Sequence, residues 1–274
     1  MTFVPRTSNL DIDGQLVRVA VTAGGRKGVP VLLFNAIGSD LESWAPFASR
    51  IEDTETISFD VPGIGGSPLP KMPYRPAWLA SLVAGLLDQL GYDEVDVLGF
   101  SWGGFIAQQF AIQFPKRCRK LVLAATATGM FAVPWTVSVM AKLADPRCFF
   151  DPAHVSTVAS EIFGGTMGSM RELFKEYARC AVPQTDPRGV YYQLLATAGW
   201  SSAFWLPALT QSTLILSGSK DPIASVVHGR ILNSLIRNSR FHIVEDGHLF
   251  LSSSPTHSAN LVQSFLKEGT QAIG

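Results

Sequence analysis

Cysteine is scarce in this chain. The three present, Cys118, Cys148 and Cys180, are odd in number and widely spaced, with no C-x-x-C pair. That argues against a disulfide framework and fits reduced thiols in the cytosol. An excess of charge of either sign is also missing, since 22 basic residues balance 22 acidic ones. A nucleic-acid partner is therefore not expected, because no basic surface is available to neutralise a row of phosphates. No stretch of about 18 apolar residues occurs, so no transmembrane segment is expected. Met1 to Ser8 hold no apolar core and no small-residue cleavage site, which speaks against a secretory signal. Repeats and low-complexity tracts are lacking too. A cytoplasmic protein is the expectation.

What the chain has in quantity is apolar material, 47% of its 274 residues, enough for one large α/β domain with a two-sided core. The mean hydropathy of +0.21 suits a buried parallel sheet. Strand-like runs alternate with helix-period segments. Asn9 to Thr22 reads as a hairpin turning at Asp13-Gly14. Val29–Phe34, Glu55–Asp60, Val95–Gly99 and Lys120–Ala125 read as buried strands. Leu79, Leu82, Val83, Leu86, Leu87 and Leu90 repeat at helical spacing, and Gly91 stops that helix. From about 129 to 208 the rhythm breaks into short helical patterns rich in Trp and Phe. It resumes with a strand at Ser212–Ser217, a helix over Val226–Ile236, a strand at Arg240–Glu245 and a last helix carrying Leu261, Val262, Phe265 and Leu266. The organisation expected is a core of 1–128 and 209–274 with an inserted helical cap at 129–208.

Gly99-Phe100-Ser101-Trp102-Gly103 is a G-x-S-x-G motif, and its context matters more than its letters. It follows a strand and opens a helix that ends before Pro115. Glycines at these places permit a tight strand-to-helix turn that lifts Ser101 to the helix N-terminus. The competing reading is a Gly-rich turn with an incidental serine; strand and helix placement weigh against it. A serine hydroxyl needs a positioned base. Of the five histidines, His248 in Asp246-Gly247-His248 directly follows the last strand, whereas His242 lies inside it and His154, His228 and His257 are expected on cap or helix surfaces. The acid should precede the histidine and follow a strand, and Asp221 does so. A metal site from His242, Asp246 and His248 is a weak rival, because all three span one strand end and no second cluster completes it.

The strand-to-helix serine motif with this triad order is that of the α/β-hydrolase fold: a mostly parallel central sheet with helices on both faces and an inserted helical cap. The second oxyanion donor is expected from Asn35-Ala36-Ile37-Gly38, with the Ile37 backbone N–H beside that of Trp102. Asp60-Val-Pro-Gly-Ile-Gly-Gly-Ser67 resembles the D-x-x-G-x-G-x-S turn common in that fold. A dinucleotide fingerprint is excluded there, because Pro68, Pro70 and Pro73 follow instead of a helix.

More narrowly, Phe34-Asn-Ala-Ile-Gly38, Phe59 to Ser67, Ser101-Trp-Gly-Gly104, Cys118 to Ala127, Gly189-Val-Tyr-Tyr-Gln-Leu194, Gly199-Trp200 and Asp246 to Leu251 resemble the intracellular medium-chain-length poly(3-hydroxyalkanoate) depolymerases. The likeness runs over almost the whole chain, with Ala36 a departure where glycine is expected. It implies Ser101, Asp221 and His248 as the triad of a serine ester hydrolase. It implies a storage polyester or its oligomers as substrate, on granules inside a bacterium. No cofactor and no metal are implied. A carboxylesterase, lactonase, thioesterase or C–C bond hydrolase of the same fold is the alternative, and a non-catalytic ligand-binding or granule-coat protein is the distant third. Met130 to Trp135 with Val137, Val139 and Met140 form an apolar run suited, if exposed, to a hydrophobic polymer surface.

Overall fold

Arg6–Ile12 (β1) and Gln15–Val21 (β2) form an antiparallel hairpin in which Ile12 faces Gln15. Asp13 and Gly14 between them take positive φ, 52° and 85°, the twist that a two-residue connection demands. The computed structural model describes residues 5–22, 28–129, 137–143, 145, 147–166 and 186–268, and in it this hairpin is one edge of an eight-stranded sheet. The remaining strands are Val31–Phe34 (β3), Thr56–Phe59 (β4), Val95–Phe100 (β5), Cys118–Ala124 (β6), Ser212–Gly218 (β7) and Ser239–Val244 (β8), in the spatial order β1-β2-β4-β3-β5-β6-β7-β8. Every pair from β4 to β8 is parallel. The strands β3, β4 and β5 are buried along their whole length, which is why their sequences run apolar instead of alternating.

Helices cover both faces. Pro76–Leu90 (α2) follows the short Ala45–Ala48 (α1); it buries Leu79, Leu82, Val83, Leu86 and Leu87 and ends where Gly91 turns left-handed at φ 76°. With Trp102–Gln113 (α3) it packs on one apolar layer together with Val17, Leu32, Ile57 and Val97. The opposite layer joins Phe47 of α1 with Leu33, Leu98, Val122 and Leu216. Between β6 and β7 the described residues hold only helical segments: Val137–Leu143 (α4), Arg147–Phe150 (α5), Pro152–Phe163 (α6), Pro187–Thr197 (α7) and a short 3-10 turn. After β7 come Val226–Leu235 (α8), and after β8 Phe250–Ser253 (α9) and Pro255–Lys267 (α10), the last adding Val262 and Phe265 to the second layer. Among the described residues no helix is long and apolar enough to cross a membrane. Of the apolar run at the start of the insertion, Met130 to Trp135 lie outside the described residues, and Val139 is buried, 4% exposed.

Parallel strands all deliver their C-terminal ends to the same edge of the sheet. The loops after β3, β5, β7 and β8, which carry Ile37, Ser101, Asp221 and His248, therefore meet there.

Candidate active site

Ser101 is the single residue between β5 and α3, at φ 53° and ψ −120°, a region that non-glycine residues enter only under constraint. The constraint is local and well defined. The Ser101 amide donates to the Ala124 carbonyl at 2.9 Å, and the Thr126 hydroxyl donates to the Ser101 carbonyl at 2.8 Å, pinning the turn to the end of β6. The glycines around it are required by close approach. A Cβ on Gly103 would stand 2.2 Å from the Phe34 carbonyl oxygen, and one on Gly99 would stand 2.5 Å from the Ala107 Cβ. Only bare backbone lets α3 lie this near β3 and β5.

The structure brings Ser101, His248 and Asp221 together. The Ser101 hydroxyl is 3.0 Å from His248 Nε2, and His248 Nδ1 is 2.8 Å from Asp221 Oδ2. Asp221 Oδ1 accepts the amides of Ile223 and Ala224 at 2.8 and 2.9 Å, so the carboxylate is fixed by its own turn. A carboxylate facing Nδ1 selects the tautomer with its proton there, which leaves the Nε2 lone pair for the serine hydroxyl. Asp221 and His248 are 5% and 3% exposed.

His248 is held by more than Asp221. Its amide donates to the Phe163 carbonyl at 2.7 Å, and its ring centroid is 5.5 Å from that of Phe100 and 6.4 Å from that of Phe163. Two residues earlier, Asp246 accepts the Thr166 and Gly247 amides at 2.6 and 2.7 Å and the Ser253 hydroxyl at 2.6 Å. Burial pushes the Asp246 carboxyl up, but these donors outweigh it and leave it below the usual range. That carboxylate is thus a brace between the end of α6 and the histidine loop. His242 instead faces the His257 ring, so His242, Asp246 and His248 do not converge, and among the described residues no three His, Cys, Asp or Glu side chains are grouped for a metal.

In the loop after β3 several amides are already committed. Ala36 N–H donates to its neighbour Asn35 Oδ1, Gly38 N–H to Gln193 Oε1 at 2.8 Å, and Ser39 N–H to the Ala36 carbonyl at 3.2 Å. Among the described residues neither Ile37 N–H nor Trp102 N–H meets a protein acceptor. A trans peptide points its N–H opposite its C=O, so the Ser39 bond to the Ala36 carbonyl also sets the direction of the Ile37 N–H. Ala36 is not among the residues with positive φ, and its methyl is accommodated.

Asp60 holds this loop from beneath. Its Oδ1 accepts the Leu41 amide at 2.7 Å, and its Oδ2 accepts the Gly66 amide at 2.7 Å and Arg18 Nη1 at 3.2 Å. Gly65 sits so close that a Cβ would stand 2.2 Å from that carboxylate. The D-x-x-G-x-G-x-S turn is therefore a clamp joining β4 to the β3 loop. Sequence reasoning also missed Asp246 and Gln193, whose partners lie up to 155 positions away. His228, expected on a helix surface, is buried, 3% exposed, because α8 lies against β7 and β8.

Residues 29–255 match the family model for the alpha/beta hydrolase fold. The chain belongs to the α/β-hydrolase fold family. Among curated proteins, this hydrolase is 43% identical to the "Poly(3-hydroxyalkanoate) depolymerase" of Ectopseudomonas oleovorans over 96% of its own length and 93% of that protein. It is 26% identical to "3-oxoadipate enol-lactonase 2" of Acinetobacter baylyi over 89% of its length and 91% of that protein. Of solved structures, a hydrolase from Pseudomonas aeruginosa superposes with a TM-score of 0.82 at 24% identity, covering 95% of this chain and 98% of that one, a likeness of fold.

Proposed function

We propose that this α/β-hydrolase is a cytoplasmic serine esterase that cleaves the ester bonds of poly(3-hydroxyalkanoate) or its oligomers through an acyl-enzyme. The observation that carries the reading is the continuous contact from Asp221 through His248 to Ser101. The substrate class is supported by the likeness to the Ectopseudomonas depolymerase over nearly the full length of both chains.

In this reading His248 Nε2 takes the Ser101 proton as Oγ attacks the ester carbonyl carbon, and Asp221 stabilises the imidazolium that forms. The carbonyl oxygen becomes an oxyanion bound by the Ile37 and Trp102 amides, neither of which meets a protein acceptor. Collapse expels the hydroxyl end of the next monomer, which takes the proton from His248. Water activated by the same base then releases the 3-hydroxyacyl acid. Every proton and electron pair is accounted for by the triad and water, so the reaction needs no cofactor. The helices of residues 129–208 act as a cap over the site, and their apolar residues suit a hydrophobic acyl chain. Association with polymer granules belongs to the same proposal.

A substrate panel on wild type and Ser101→Ala tests it. Wild type releases 3-hydroxyacyl products from medium-chain polymer and hydrolyses p-nitrophenyl octanoate, and Ser101→Ala loses about 10⁴-fold or more of both activities. A variant that keeps near wild-type turnover contradicts the serine mechanism. The relationship to the enol-lactonase favours a second reading, a small lactone or ester hydrolase. Rejection of polymer alongside rapid turnover of a small lactone would select that one.

A further inference from the structure

Gln193 lies on α7, remote in sequence from every strand end, and is fully buried at 0% exposure. It touches the loop after β3 and the first residue of α3. Its side-chain Oε1 accepts the Gly38 amide at 2.8 Å, and its backbone carbonyl accepts the Trp102 indole Nε1 at 3.0 Å. Gly38 follows Ile37, and Trp102 follows Ser101. One position on the inserted helices thus reaches the neighbour of one free amide and the residue that carries the other.

This side chain carries a cost. With Oε1 committed to Gly38, Nε2 is buried and meets no acceptor. A buried donor left unpaired is destabilising; methionine of similar length would remove this one but leave the Gly38 amide unpaired in its place. Exchanging the two ends of the carboxamide is no remedy, because the Gly38 N–H requires an oxygen facing it. One donor is orphaned either way, so stability alone gives no reason to keep an amide here.

The reason lies in peptide geometry. The bond from Gly38 to Gln193 fixes the plane of the 37–38 peptide, and the Ser39 bond fixes that of 36–37. Each plane is rigid, so Ile37 is left no freedom to swing its N–H away. We infer that Gln193 is a positioning residue for hydrolysis: by holding the Gly38 amide it keeps the Ile37 N–H aimed at the developing oxyanion, so that the inserted helices set the geometry of the oxyanion site. The inference rests on the reading of Ile37 and Trp102 as oxyanion donors. Gln193 itself touches no reacting atom.

The test is Gln193→Met, followed by kcat and KM for p-nitrophenyl octanoate, affinity for an alkyl trifluoromethyl ketone, and the thermal unfolding midpoint. Addition of Ser101 to the ketone places an oxyanion where the ester's would form. The expected result is a fall in kcat of about 10- to 100-fold with KM within about twofold. Ketone affinity should fall by the same factor as kcat/KM. The midpoint should stay close to wild type, since the loss of the orphan Nε2 offsets the Gly38 amide left without its acceptor. Wild-type kcat and ketone affinity would overturn the inference, as would a loss of kcat with ketone affinity intact, or activity and midpoint falling together. Ser101→Ala in parallel separates the levels: if it retains turnover, the triad reading fails first and takes this inference with it.

Discussion

At the scale of single residues, the site stores backbone strain and charge that the surrounding loops must hold. The left-handed φ of Ser101 costs on the order of 1–3 kcal/mol, and the bonds to Ala124 and Thr126 keep it in place. Asp40, in the loop after β3, is a second case. Burial, then the nearby Glu42 and Asp60 carboxylates, push its carboxyl up to about 7, against which the Ser43 backbone and Arg18 act only weakly. Its Oδ1 has no hydrogen-bond partner. A carboxyl whose folded pKa is raised binds its proton more tightly in the native state, so this group's contribution to stability is greatest at low pH and declines as pH climbs toward about 7. Asp40→Asn removes that decline. It should gain about 1–2 kcal/mol over wild type between pH 5 and pH 8, once solvent screening of a partly exposed group is allowed for. Urea unfolding at the two pH values reads this, and an equal difference at both would contradict it.

At the scale of elements, the fit of α3 against β3 decides whether the serine turn forms. Gly103→Ala places a methyl 2.2 Å from the Phe34 carbonyl oxygen, so the helix must retreat. The expected cost is about 1–3 kcal/mol of stability, with a fall in kcat because Ser101 and Trp102 move with the helix start. Gly91→Ala is the comparison: its φ is 76° but its Cβ meets open space, so it costs about 1 kcal/mol and leaves kcat alone. Equal kcat in the two variants would contradict the close-approach argument. Elements of this kind were legible in the sequence because their signals are local. Asp13-Gly14 marked the hairpin, the leucines from 79 to 90 marked α2, and G-x-S-x-G between strand and helix marked the turn. Contacts between distant loops left no such mark. Asp60 reads as a turn residue, Gln193 as one of several polar residues on α7 and Asp246 as the start of the histidine loop. Each instead bonds the backbone of another segment, and no periodicity reports that. His228 was misplaced for a related reason: the face α8 buries is chosen by β7 and β8, not by its own composition.

At the scale of the molecule, five parallel strand pairs align their C-terminal ends, and the inserted helices are tied to that edge at two places. The end of α6 meets the histidine loop through Phe163 and Thr166, and α7 meets the loops around Ser101 through Gln193. The insertion is thus bonded both to the histidine loop and to the residues beside Ser101. The central claim, that residues separated by 120 and 147 positions of sequence form one proton relay ending at Ser101, is open to a direct measurement. Treat wild type, Ser101→Ala and His248→Ala with diethyl p-nitrophenyl phosphate and locate the adduct by peptide mass spectrometry. The account predicts one phosphoryl group on the peptide holding Ser101 in wild type, none there in Ser101→Ala, and labelling slowed about 10³-fold or more in His248→Ala. A stoichiometric adduct on another residue, or labelling of Ser101 at an unchanged rate without the His248 imidazole, would contradict it.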